Sequence, residues 1–345
     1  MDDLRDRYAR LVAAFGARTE AFDPDQLAAD AESLAAEADS TWLRSQTRAL
    51  AAASRAIGGA EWDFEAIVDV SLPPLDPTAL ARLNDQLPGA GPLAERRAAH
   101  DVATSLTPDA LRSAAEELLR VFRRRAVEDL ELPIDHALAL AVVERPAEAW
   151  HVRLAAPAVL TLNASAGWTA DRLIRAIPAS AYPGRHLSRL MRPPAPEWSP
   201  SPEMTVDCGL AAVGREILMA DHELAHEIER IGRLSGLRWS GERIVAVSRA
   251  RADLAPMFAA VAHGLPFQDV GRELFVLGVD AQRSEALITR WRDPLERARS
   301  LARAAGPPLV RSWLATTGQT TGLQRLLAER LVPTILRADM VDAAG

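Results

Sequence analysis

The chain has 345 residues, 48% apolar and 25% charged, with a formal net charge of −7. That balance belongs to a globular protein with a sizeable core and excludes a disordered polyelectrolyte. The acidic excess argues against a nucleic-acid partner, which needs a basic footprint to neutralise phosphates.

Read from the amino terminus, Met1-Asp2-Asp3-Leu4 is acidic and helical in pattern, unlike a secretory signal. The first 130 residues read as helices with clear start signals. Asp23-Pro24, Asp76-Pro77 and Thr107-Pro108-Asp109 each set a capping side chain before a proline suited to a first helical turn. The helix after Thr107 is expected to run to about Asp129, and loops fall at 71–77 and 87–92. Between Ala137 and Asn163 the pattern changes. The runs 137–144, 150–154 and 159–163 are rich in Val, Leu and Thr and are separated by Pro146 and Pro157, so two or three strands are expected. A helix then starts at Thr169, a proline-rich loop covers 193–202, and helix resumes from Val206 to about Arg330. The expected organisation is an N-terminal helical lobe over 1–132, then a small sheet with a C-terminal helical lobe over 133–345, forming one composite unit. No apolar run of about 18 residues lacks charges, so no membrane partner is expected. Cys208 is the only cysteine and allows no internal disulfide, which fits a cytoplasmic protein.

One zinc-enzyme signature stands in the chain: His222-Glu223-Leu224-Ala225-His226. Histidines four apart share one helix face, so both can reach one metal ion. The glutamate can then act as general base on a metal-bound water, whose pKa zinc lowers to about 7. The same helix also carries an apolar stripe: Val206, Leu210, Val213, Ile217, Leu224, Ile228 and Ile231. On one continuous helix, His222 and His226 fall opposite that stripe, near Arg215, Met219, Glu229 and Arg230. A solvated polar face is the competing reading. The next helix, from about Gly241, should run antiparallel after a turn near Leu237. That sets Asp253 level with His222 and leaves Glu242 nearer the turn, so Asp253 is the better-placed third ligand. Arg249 and Arg251 compete for its charge.

Several segments resemble a bacterial family of uncharacterised zinc metallopeptidases. These are all-helical proteins of the gluzincin type, distantly similar to Taq-type carboxypeptidases and thimet-type oligopeptidases. The resemblance rests on Asp85-Gln86-Leu87-Pro88-Gly89, Trp168-Thr169-Ala170-Asp171-Arg172-Leu173, Ala181-Tyr182-Pro183-Gly184-Arg185-His186, Pro202-Glu203 and Leu309-Val310-Arg311-Ser312-Trp313-Leu314. It implies a mainly α, gluzincin-like fold with a small β-sheet beside the cleft. In such relatives the metal centre reads His-Glu-Ala-Tyr-Pro-Gly-His-His, with Ser-Glu-Gly downstream. Carried over by position, the first His falls on Ala179, the Glu on Ser180 and the next His on Arg185; the last His survives as His186. The downstream Glu falls on Cys208. The turn Tyr182-Pro183-Gly184 remains without its ligands, and one imidazole does not hold zinc.

Three readings follow. In the first, the chain is metallopeptidase-like but has lost the family zinc site. It needs no cofactor and acts as a non-catalytic binding or regulatory protein, or takes a peptide or small anionic ligand in the former cleft, lined by Tyr182, Arg185, His186 and Cys208. Arg185 either attracts that anion by bidentate hydrogen bonds or pairs with a nearby carboxylate. In the second, the chain is a zinc hydrolase with His222, His226 and Asp253 as ligands and Glu223 as base. On a continuous helix this centre lies about 21 Å from Cys208, at 1.5 Å per residue. In the third, metal-free chemistry arises in the altered cleft, with Cys208 as nucleophile and His186 as base; a lone Cys is otherwise a small buried hydrophobe. His100, His136, His151 and His263 read as satisfied or exposed histidines, and no phosphate-cradling glycine loop is present.

Overall fold

The computed structural model describes residues 2–17, 22–130, 138–145, 152–155 and 158–343, with residues 2, 129–130 and 152–155 described through their backbone. Seven helices come first: α1 (Asp2–Ala17), α2 (Pro24–Glu37), α3 (Thr41–Ile57), α4 (Phe64–Val68), α5 (Ala79–Gln86), α6 (Leu93–Ala103) and α7 (Pro108–Leu130). Three strands follow: β1 (Ala139–Val143), β2 (Val152–Ala155) and β3 (Val159–Asn163). The remainder is helical: α8 (Ala170–Ser180), α9 (Arg185–Met191), α10 (Pro202–Leu218), α11 (Asp221–Leu234), α12 (Gly241–Asp253), α13 (Ala255–Gly264), α14 (Phe267–Val276), α15 (Ala281–Trp291), α16 (Pro294–Thr317), α17 (Gln319–Ala328) and α18 (Pro333–Asp342). The protein is thus mainly α with one small sheet, and no described helix is long and apolar enough to cross a membrane.

The capping signals act locally. The Asp23 carboxylate accepts from the backbone N–H of Asp25 and Gln26 at 3.0 Å, which starts α2. Thr107 Oγ1 accepts from the Ala110 N–H and starts α7. Asp76-Pro77 departs from expectation. Asp76 accepts from both the N–H and the hydroxyl of Thr78 (2.8 and 2.7 Å), so the segment is held as a turn and α5 begins only at Ala79.

The sheet is mixed, in the order β1-β3-β2. β1 runs parallel to β3 with Ala139 opposite Val159, and β2 runs antiparallel to it with Val152 opposite Leu162. The central strand buries Leu160 and Leu162 in the main core. That core joins α7 and β3 to α8, α10, α11, α16 and α17, around Phe122, Trp168 and Trp313. A second core packs Tyr8, Phe15, Leu34, Leu50 and Ile67 of the first four helices onto Leu295, Ala298, Leu301 and Ala302 of α16. The long helix α16 therefore serves both cores. It also lies very close to α10: a Cβ on Gly306 would sit 2.2 Å from the Thr205 carbonyl oxygen, so only glycine fits. This contact sets Cys208 beside α16.

One continuous helix through residues 206–231 is not what forms. The chain breaks at Met219 and Ala220, both with extended backbone. The Glu223 carboxylate accepts from the Ala220 N–H at 3.1 Å and starts a new helix. Met219 turns into the core and Arg215 is buried, reaching Asp221 at 3.0 Å, so neither shares a face with His222.

Candidate functional site

The link between α8 and α9 is a tight turn. The Gly184 N–H donates to the Pro178 carbonyl at 3.0 Å, and a Cβ on Gly184 would lie 2.0 Å from the Ala179 carbonyl oxygen. The turn places Ala179 and Arg185 at the wall of a cavity of about 610 Å³, which Cys208 also lines. Thus Ala179, Arg185 and Cys208, which come from α8, α9 and α10, converge on one cavity. Ala179 has no donor, Arg185 is a cation, and burial pushes the Cys208 thiol up to about 11. This donor set does not fit a zinc ion.

The cavity wall is rich in charge, and most of it is paired. Glu197 takes Arg189 at 2.9 Å and Arg185 at 3.4 Å. Glu203 is buried between Arg192 at 3.2 Å and Arg330 at 2.8 Å, and also accepts from the Trp42 indole. Burial and the neighbouring Asp207 raise the Glu203 pKa despite those cations. Asp207 takes Arg192 at 2.7 Å, and Glu296 takes Arg290 at 2.7 Å and also Arg299. Arg303 differs. It lines the cavity from α16 and remains accessible from it. Among the described residues it has no hydrogen bond and no ion pair. Desolvation by the surrounding walls lowers its pKa.

The other residues expected in this cleft lie elsewhere. Tyr182 is buried with its side chain toward a different cavity of about 620 Å³, lined by Leu138, Leu140 and Arg120. His186 is buried edge-on against the Tyr182 ring at 5.4 Å and does not line the Cys208 cavity. No hydrogen bond joins His186 to Cys208 among the described residues. A thiol titrating near 11 is also protonated at neutral pH. The nucleophile–base pair is therefore not assembled.

His222 and His226 are exposed on α11, opposite the buried Leu224, Ile228 and Ile231, as their helical phase predicts. Glu223 is held in a second role besides its cap: Oε1 accepts from Arg125 at 2.8 Å. The backbone bond at Ala220, then Arg125, lowers its pKa. His222 and Asp253 do line one shallow cavity, as the antiparallel α11–α12 pairing predicts, but His226 does not. Asp253 is paired with Arg82 at 3.0 Å rather than with the nearby basic run. Arg249 instead takes Asp221, and Arg251 takes Asp101 and Asp171. Among the described residues, no group of three or more His, Cys, Asp or Glu is placed to hold a metal ion. His100 is buried, and His263 Nε2 lies 3.0 Å from the Arg297 carbonyl oxygen. His136 and His151 lie outside the described residues.

Sequence reasoning missed Arg303. The available signal was the spacing of Arg299 and Arg303, four apart on one face of α16 and just before the close approach at Gly306. Scans against family models, curated proteins and solved structures return no match.

Proposed function

We propose that this is a metallopeptidase-like binding protein that lacks the family zinc site and takes a carboxylate-bearing peptide, or a similar small anion, in the Ala179–Arg185–Cys208 cavity. The observation that carries this reading is Arg303, a cation on the cavity wall with no ion-pair partner among the described residues. The neighbouring carboxylates are already matched by other arginines, so an incoming anion meets one unneutralised guanidinium. Arg185 supports it, because its 3.4 Å contact to Glu197 is long and is shared with Arg189. A guanidinium presents a planar fork that matches a carboxylate. The cavity is also of a size to hold a short peptide.

Trialanine and trialanine amide, titrated calorimetrically into the full chain, test the reading. Trialanine should bind and its amide should not. Charge-assisted hydrogen bonds contribute about 1.5–3 kcal/mol, so Arg303→Ala should weaken trialanine binding roughly 10- to 150-fold. Equal binding of the amide would sink the anion role. Near-stoichiometric zinc in protein grown in metal-replete medium would sink the lost-metal role.

A further inference from the structure

A second cluster of arginines lies around Asp101 and Asp171, outside the Cys208 cavity. Four helices build it. α6 supplies Arg97, His100 and Asp101; α8 supplies Asp171, Arg172 and Arg175; α12 supplies Arg251; and α15 supplies Arg283. Arg251 is 7% exposed and bridges Asp101 at 2.6 Å and Asp171 at 2.7 Å. Arg283 also binds Asp101, and Arg175 stands 3.5 Å from Asp171. Asp280 is the further carboxylate that touches the group, 3.5 Å from Arg283.

The charges do not balance. Among the described residues, Arg97, Arg172, Arg175, Arg251 and Arg283 face Asp101, Asp171 and Asp280, which leaves an excess of two positive charges. Among the described residues, Arg97 has only long contacts, 3.4 Å, to the carbonyls of Leu277 and Gly278, and its buried Nε has no hydrogen-bond partner. Arg172 donates to the Ala166 and Gly167 carbonyls and lies over the Trp168 ring, with no carboxylate bonded to it among the described residues. The buried His100 Nε2 has no hydrogen-bond partner among the described residues and stands 4.0 Å from Asp171. Desolvation lowers the pKa of Arg97 and of Arg172 to about 10 in each case. Uncompensated guanidinium groups held together at partial burial repel one another and are costly. A structural salt-bridge network needs only Arg251 between its two aspartates. The surplus calls for an anion from solution, and its charge matches a dianion.

We propose that the cluster formed by Arg97, Arg172, Arg175 and Arg283 around the Asp101–Arg251–Asp171 bridge is a binding site for a phosphoryl dianion. Arginine forks donate pairs of hydrogen bonds to phosphate oxygens, and the bridge fixes the forks before the anion arrives. Arg175, with 41% of its side chain accessible, is the entry side, while Arg251 is the buried floor. The site is separate from the peptide-carboxylate cavity, so either can fail alone.

Inorganic phosphate is the probe, titrated calorimetrically into the full chain in chloride buffer of matched ionic strength. A saturable site that depends on Arg172 and Arg175 is expected. The double variant Arg172→Gln/Arg175→Gln should weaken it at least tenfold, and Arg272→Gln, on the exposed surface of α14, should leave it unchanged. Far-UV circular dichroism checks that the variants fold, and Arg175→Gln alone carries the comparison if the double variant does not. Glycerol 3-phosphate distinguishes the sources: binding of both identifies a phosphomonoester, and binding of phosphate alone identifies the free ion. Absence of saturable phosphate binding by the wild type overturns the proposal. So does unchanged binding in the Arg172/Arg175 variants, or an equal loss of binding on Arg272→Gln.

Discussion

Arg125 of α7 and Glu223 of α11 meet at 2.8 Å, although 98 residues separate them in the chain. This contact, together with the bond from the Ala220 N–H, occupies both carboxylate oxygens of the glutamate in the His-Glu-x-x-His segment. The segment is thereby joined to helix initiation and to the packing of α11 on α7.

Glu223→Ala should act on stability. Removing an N-terminal capping interaction costs about 1 kcal/mol, and the half-exposed pair with Arg125 adds little more. The Glu223 pKa is lowered in the folded chain, so its contribution is present above the ordinary carboxylate range and is lost as pH falls through the folded pKa. Urea unfolding of wild type and variant at pH 7 and pH 3 measures this. An equal difference at the two pH values would contradict it.

His222→Ala and His226→Ala replace exposed side chains. Each should change unfolding free energy by less than about 0.5 kcal/mol. Elemental analysis should find the same zinc content in the double variant as in wild type. Stoichiometric zinc lost with the two histidines would restore the hydrolase reading.

Cys208 should react slowly. With a thiol near 11, only about one molecule in a thousand carries the thiolate at pH 8, so iodoacetamide should alkylate the folded chain far more slowly than the unfolded one. The same shift sets a pH dependence. The folded pKa lies above the unfolded value, so the stabilisation is complete below about pH 8.5 and is lost as pH rises toward 11, by up to about 3 kcal/mol. Comparing wild type with Cys208→Ala at pH 8 and pH 10.5 isolates that part, and parallel losses in both would refute it.

Glu203→Ala should be the most damaging single change at the cleft. It strips Arg192, whose side chain is 5% exposed, of one carboxylate and leaves Arg330 with the Pro193 carbonyl and the Trp42 ring but no carboxylate among the described residues. Breaking a buried pair from one side costs about 3–5 kcal/mol. Thermal unfolding reads the effect, and a loss under 1 kcal/mol would show that Asp207 compensates.

Gly184→Ala tests the turn that builds the cleft. Its Cβ would overlap the Ala179 carbonyl, so the α8–α9 link must shift, at about 1–3 kcal/mol. Because Ala179 and Arg185 flank this turn, trialanine binding should weaken along with stability. Unchanged binding would separate the turn from the cavity.

Much of the fold was legible because its signals are local. Asp23 and Thr107 cap the helices they precede, and β3 falls on residues 159–163, the Val-, Leu- and Thr-rich run after Pro157. The helical phase of His222 and His226 also placed them correctly away from the core, because Leu224, Ile228 and Ile231 set that phase within the same helix. The break at Met219 and Ala220 was not legible. Apolar spacing continues across it, and the decision rests on which groups meet Glu223, Asp221 and Arg215 in space. Likewise the sequence alone shows that Ala179, Arg185 and Cys208 offer no zinc donor set. Only the tertiary structure turns Tyr182 and His186 away from Cys208, brings Arg303 to the same cavity wall, and gathers arginines from four helices around Asp101 and Asp171. Those outcomes depend on long-range charge pairing and close helix approach, which no local pattern of residues encodes.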